Sequence, residues 1–270
     1  MVSRISIVTE RKGSNPGGKC VYSDRETSFA GYLKYCDLSN MGRESALSAT
    51  RQPIYEALTL VIAKKLGLHV PEFYIVPNNG HAVAFDFRPN LKSTIRKDKP
   101  FYFLSKIVDI TQHQDPEKTR KILASEKIYR DLLLVTDVSH KQQNFTLMPD
   151  ENGGRIVYID AGCSFVDAVE GKMFYRRGKK INGSKSDLKQ GMQVASRYAL
   201  LTADEESILV LEDILNLVDT ARIPRLNPRG YVNIADLLTN AERSEIKRIL
   251  LLNLAPTIRR HKDSGNLIRL

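Results

Sequence analysis

The sequence predicts an α+β protein of two lobes, a β-rich N-terminal lobe over residues 1–88 and a mostly helical C-terminal lobe over residues 89–270. Three observations lead there. Short alternating runs punctuated by glycine crowd the first third of the chain, beginning with Ile5–Thr9 and Lys19–Ser23. Segments with apolar residues at helical spacing dominate the rest. Between them Pro89-Asn90 opens a linker that would contain a hinge.

The first two runs flank a glycine-rich turn that includes Gly13, Ser14, Asn15, Gly17 and Gly18. An ordinary hairpin turn is the commoner meaning of such a loop. A phosphate cradle is the other, since glycines permit positive φ and close backbone approach to an anion. The loop matches neither the P-loop nor the Rossmann pattern, both of which need a helix directly after the glycines. Next, Ala30–Cys36 reads as a strand with Lys34 turned inward among Leu33, Tyr35 and Cys36. A buried ammonium is costly unless paired, and snorkelling to solvent is the usual outcome for a lone strand lysine. A partner is available on the helix expected over Thr50–Leu66, where Glu56 lies beside the stripe Ile54, Leu58, Val61, Ile62 and Leu66. Gly67 is placed to end that helix as a C′ residue, Pro71 begins the next strand region, and His81–Phe87 is the last strand of the lobe.

In the second lobe a helix is expected over Pro116–Val135, with Ile122, Ile128, Leu132 and Leu133 inward. Phe145–Met148 and Arg155–Ile159 form a hairpin around the turn Asp150–Gly154. Further helices are expected over Lys189–Leu200, Ala203–Val218, Ile234–Leu238 and Ala241–Leu254. Thr202 with Glu205, and Thr239 with Glu242, have the spacing of capping boxes and mark two of the starts. Arg222–Tyr231, with Pro224, Pro228 and Gly230, reads as a structured connection.

The hairpin is framed by chemistry. Asp137 precedes a polar loop that closes on Asn144, and Asp160-Ala161-Gly162 follows the second strand. Phosphoryl transfer needs parts in that order: a carboxylate to accept the proton of the attacking hydroxyl, then an amide and a second carboxylate to hold Mg²⁺. Turn-forming Asn and Asp are the bland alternative. Lys34 and Glu56 add the lysine–glutamate pair that positions ATP phosphates in kinases.

Together the loop over 13–18, Lys34 in its strand, the helix with Leu66-Gly67-Leu68 and Pro71, the Asp137–Asn144 loop and Ile159–Gly162 resemble an atypical bacterial protein kinase of the HipA-like group, distantly similar to phosphatidylinositol 3/4-kinases. The resemblance spans roughly residues 8–165 and lies mainly in the order of the parts. It implies a two-lobed protein-kinase-like fold with ATP and Mg²⁺ as cofactors. By this resemblance Lys34 contacts the α/β-phosphates under the glycine-rich loop, Glu56 pairs with Lys34, Asp137 is the catalytic base, and Asn144 with Asp160 binds the metal. The resemblance also makes Ser14 a candidate for autophosphorylation. One departure stands: the familiar base lies five residues before the metal-binding Asn, a place held here by Ser139, whereas Asp137 stands seven before. Either the loop carries two extra residues, or His140 serves as base, or the chain is a pseudokinase that binds nucleotide without transfer.

Composition fits without deciding. The chain has 270 residues, 42% hydrophobic and 27% charged, enough for a sizeable core. Three scattered cysteines, Cys20, Cys36 and Cys163, lack metal-ligand spacing and argue for reduced thiols. No apolar window spans a bilayer and no signal peptide is evident, so the expectation is a cytoplasmic protein, or an effector or toxin secreted into a host cytosol. The net charge of +10 asks for an acidic partner. Much of it gathers in Lys172, Arg176, Arg177, Lys179, Lys180, Lys185 and Lys189. Such a run is usually a solvated loop. Placed just after Asp160, it is also a candidate surface for an acidic protein segment or a phosphoinositide headgroup, while no nucleic-acid motif appears. The expected activity is transfer of the γ-phosphoryl group of ATP to a protein hydroxyl, with lipid phosphorylation, AMP transfer and a binding-only pseudokinase as alternatives.

Overall fold

A computed structural model of the chain describes residues 3–10, 17–35, 46–78, 83–87, 100–108, 115–134, 144–149, 154–160, 168–169, 172–173 and 184–270. In chain order the elements are β1 (Ser3–Glu10), β2 (Gly17–Ser23), β3 (Ser28–Lys34), α1 (Ala46–Lys65), β4 (Phe73–Pro77), β5 (Val83–Phe87) and β6 (Phe101–Lys106). Then come α2 (Pro116–Ser125), α3 (Lys127–Leu132), β7 (Phe145–Met148), β8 (Arg155–Tyr158), β9 (Ala168–Val169) and β10 (Lys172–Met173). The chain continues through α4 (Lys185–Ala195), β11 (Tyr198–Leu201), β12 (Ile208–Val210), α5 (Leu211–Thr220), β13 (Arg222–Arg225) and β14 (Gly230–Asn233). It closes with α6 (Ile234–Leu237), α7 (Asn240–Arg260) and β15 (Leu267–Arg269). The fold is α+β, β-rich at the N-terminal end and mostly helical beyond it.

Eight strands form one mixed sheet in the order β14-β13-β4-β6-β3-β2-β1-β5. Its two faces bury different sets of side chains, as the two-residue period of a strand requires. On β6, Tyr102 and Leu104 join Ile5, Ile7, Tyr22 and Leu33 on one face. Phe103 points the other way, stacking on Phe73 and meeting the residues of α1. The helix is covered nearly all round: Ile54, Tyr55, Ala57, Leu58, Leu60 and Ile62 are fully buried. A helix apolar on every side belongs in a protein interior, so α1 is the central element shared by the sheet and the C-terminal helices.

α1 ends as its sequence suggested. Gly67 has φ +78, its amide bonds to the Lys64 carbonyl at 3.2 Å, and the Leu68 amide bonds to the Ala63 carbonyl at 3.0 Å. This is a Schellman closure, which puts the C′ residue in the left-handed region that favours glycine.

The boundary expected at residue 88 is not where the sheet stops. β6 lies beyond it yet pairs between β3 and β4, because its alternating aromatic side chains fill both faces of the sheet. Nor is Arg222–Tyr231 a plain connection: it supplies β13 and the start of β14, and Arg225 pairs in parallel with Ile75 of β4. Several helix expectations also change. Pro116–Val135 is two helices, α2 and α3, broken at Glu126. The helix expected over Lys189–Leu200 begins earlier, at a Ser184–Asp187 capping box, and stops at Ala195 before β11. Ala203–Val218 is a turn, then β12, then α5. Thr202 caps no helix, because its hydroxyl closes a turn on Ser207, accepting from the amide at 3.1 Å and donating to the carbonyl at 3.0 Å. The Thr239–Glu242 box does cap α7. Among the described residues no helix is long and apolar enough to cross a membrane.

Candidate functional site

In the β2–β3 ladder Gly17 lies opposite Lys34 and Gly18 opposite Leu33, so the end of the glycine-rich turn sits beside the lysine. Only glycine fits at 17, where a Cβ would stand 2.0 Å from the Leu33 carbonyl oxygen. Gly13, Ser14 and Asn15 lie outside the described residues.

Lys34 ends β3 and is 6% exposed. It does not snorkel. Its Nζ donates to Glu56 Oε1 at 2.7 Å and stands 3.1 Å from Asp160 Oδ1. The same ammonium lies 5.5 Å from the ring centre of Phe103, its cross-strand neighbour on β6, close enough for attraction to the ring face. Glu56 is 1% exposed. Three elements thus converge on one cation: β3 supplies it, α1 supplies one carboxylate, and the segment leaving β8 supplies the other.

Asp160 is held there by the hairpin. β7 and β8 pair with Phe145 opposite Tyr158. Just past that pair the Asn144 carbonyl accepts from the Ile159 amide at 2.8 Å and from the Asp160 amide at 3.4 Å. Asn144 and Asp160 therefore meet at one end of the hairpin, Asn144 being 7% exposed. The Tyr158 amide in turn bonds to the His69 carbonyl at 2.9 Å, which ties β8 to the segment leaving α1.

Among the described residues Glu56 and Asp160 bring two carboxylates to one ammonium, and a divalent cation at this end of the hairpin would be held by Asn144 and Asp160. The donors are hard oxygens, an amide and a carboxylate. Mg²⁺ suits them, because it takes one or two protein oxygens and fills its octahedron with water and phosphate.

Asp137, Ser139 and His140 lie outside the described residues, as do Arg176, Arg177, Lys179 and Lys180. Of the basic run, Lys172 stands in β10, and Lys185 and Lys189 in α4. Cys20 is buried on β2, and burial pushes its thiol up to about 12, far from a reactive thiolate.

Beneath β8 lies a cluster the sequence did not suggest. The Tyr158 hydroxyl donates to the Glu126 carboxylate at the α2–α3 break, and Arg130 lies close by. Burial pushes the Glu126 carboxyl up to about 7, against the lowering effects of the Tyr158 hydrogen bond and the Arg130 charge. Glu126 and Arg130 lie one helical turn apart, but Tyr158 is 32 residues from Glu126, and only the fold brings it to them. Phe103 was equally hidden, since an aromatic in a strand reads as ordinary core.

No family model matches the chain, and no curated protein matches it.

Proposed function

We propose that this chain is an ATP- and Mg²⁺-dependent phosphotransferase that passes the γ-phosphoryl group to a hydroxyl, a protein side chain being the first choice of acceptor. One observation carries the reading: Lys34, Glu56 and Asp160, separated widely in sequence, meet around a single buried ammonium with Asn144 beside them. A packing role alone would favour apolar residues, since buried ion pairs contribute little net stability against hydrophobic replacements.

In this reading Lys34 binds the α/β-phosphates, and Glu56 keeps its side chain extended toward them. The glycine-rich turn that ends at Gly17 and Gly18, beside the lysine, supplies backbone amides for phosphate oxygens. Asp160 and Asn144 hold Mg²⁺, which when bound neutralises charge on the phosphate oxygens. Asp137 takes the proton of the acceptor hydroxyl. The basic residues over 172–189 present the acidic acceptor, and ATP supply places the activity in a cytosol, its own cell's or a host's. Ser139, at the usual base position, favours a second reading in which the chain binds nucleotide as an interaction module without transfer.

Labelled ATP separates these. With Mg²⁺, label from the γ position should appear on an acceptor protein and label from the α position should not. Transfer from the α position would replace the reading with AMP transfer, and label in lipid would move the acceptor to a headgroup. Calorimetry completes the test: ATP binding should require Mg²⁺ and be lost in Asp160→Ala, with Asn144→Ala intermediate. Metal-independent binding unaffected by Asp160→Ala would sink the site assignment.

A further inference from the structure

The helix that carries Glu56 is bolted to the C-terminal helices by its neighbouring residues. Successive helical residues point about 100° apart, so Tyr55 faces α6 and α7 while Glu56 faces β3. The Tyr55 hydroxyl donates to Glu242 Oε1 at 3.0 Å, and the tyrosine is fully buried. One turn earlier, Arg51 donates from Nη1 to the Leu237 carbonyl at 2.6 Å, with Nε 3.6 Å from Glu242 Oε1. Glu242 is 6% exposed and has a second duty: its Oε2 accepts from the Thr239 amide at 2.7 Å, closing the α7 capping box. Burial, then the adjacent Glu242 charge, raises the Tyr55 hydroxyl well above its usual range, so it stays a donor at any physiological pH.

Two features make such a tie consequential. Pro53 stands inside α1 between Arg51 and Tyr55 and removes a donor from the helical ladder. A shallow recess with no room for a water molecule, lined by Lys34, Tyr35, Gln52, Pro53 and Glu56, lies beside the ion pair. The hydrogen-bond ladder of α1 is therefore interrupted within one turn of Glu56.

We propose that Tyr55 and Arg51, through Glu242 and the Leu237 carbonyl, are positioning residues that hold α1 so that Glu56 engages Lys34. The proposal rests on reading Lys34–Glu56 as the nucleotide-anchoring pair, but the brace can be tested without nucleotide. Lys34 is shielded only while α1 is seated, so its rate of acetylation by an N-hydroxysuccinimide ester, read by peptide mass spectrometry, reports the position of the helix. Tyr55→Phe keeps the ring and removes the bond; it should speed Lys34 acetylation about tenfold, the shift expected for one lost buried hydrogen bond. Arg51→Ala should do the same, with Arg51→Lys falling between it and the unmutated chain. Thr239→Ala, which uncaps α7 but leaves the Tyr55–Glu242 bond, should lower the melting temperature without changing that rate. An unmutated rate in Tyr55→Phe, or equal acceleration in Thr239→Ala, overturns the brace. In parallel, Mg²⁺-ATP affinity should fall in Tyr55→Phe by a similar factor. If the unmutated chain binds no Mg²⁺-ATP, the phosphotransferase reading falls, and the acetylation rates still decide the brace.

Discussion

The phenol of Tyr158, the last residue of β8, hydrogen-bonds the carboxyl of Glu126 just before the chain reaches Asp160. Glu126 titrates near 7 in the folded protein because burial disfavours its charge, whereas an unperturbed carboxyl titrates near 4.5. Between those values the native state holds a proton that the unfolded chain has released. Its stabilising contribution is thus complete below about 4.5 and lost as pH rises through 7, at roughly 1.4 kcal/mol per pH unit in that window. Glu126→Gln should flatten this part of the urea-unfolding profile and be the more stable protein at pH 8. Parallel profiles for the two proteins would refute the assignment.

Removing one member of the central pair should cost more than removing both. Glu56→Gln leaves Lys34 with a single carboxylate, and Lys34→Met leaves Glu56 and Asp160 facing each other. About 3–5 kcal/mol is the usual loss when a buried charge is orphaned. Lys34→Met combined with Glu56→Leu should recover much of the loss seen with Lys34→Met while abolishing nucleotide binding. Denaturant midpoints of these variants and of Glu56→Leu alone test it, and additive losses would argue that the pair is not coupled.

Gly17→Ala would place a methyl group against the Leu33 carbonyl. The ladder beside Lys34 must then shift, costing about 1–3 kcal/mol and weakening ATP binding together with stability. Gly265→Ala is the natural control, because nothing lies within 4 Å of a Cβ there; its effect should stay within about 0.5 kcal/mol. Equal effects at the two positions would show that the close approach at Gly17 carries no strain.

The base is decided by three substitutions assayed side by side at fixed ATP and Mg²⁺. Asp137→Ala should lower turnover on the order of 10²–10⁴-fold, the usual worth of a general base, with ATP affinity nearly unchanged. Ser139→Ala and His140→Ala should be mild. Full activity in Asp137→Ala would rule out that residue, and a loss confined to His140→Ala, deepening as pH falls through neutrality, would transfer the role to the histidine.

Local signals in the sequence were informative where one element explains itself. The alternation of β1 and β2, the Gly67 closure of α1, the hairpin around Asn144 and Asp160, and the pairing of Lys34 with Glu56 were all legible, since each depends on a short period, a turn residue or a charge needing a partner. Long-range pairing was not. β6, β13 and β14 carry no mark of the sheet they join, because strand order is set by which faces can be covered and not by spacing along the chain. The Thr202–Glu205 spacing misled for a related reason: a hydroxyl that can cap a helix can equally close a turn, and Glu205 takes up φ 58. Glu242 shows the same limit from the other side, since its capping role was readable and its bond to Tyr55 was not.

The pairing of β13 with β4 has a consequence for biosynthesis. While the chain leaves the ribosome, the strand at Phe73–Pro77 is made long before its neighbour at Arg222–Arg225 exists. Until then its outer edge offers bare amides and carbonyls, the kind of edge that recruits strands from other molecules. The nascent protein therefore passes through an interval of exposure that ends only when Arg222–Arg225 has been made, and a fragment stopped before Arg222 should depend on chaperones more than one that includes β13.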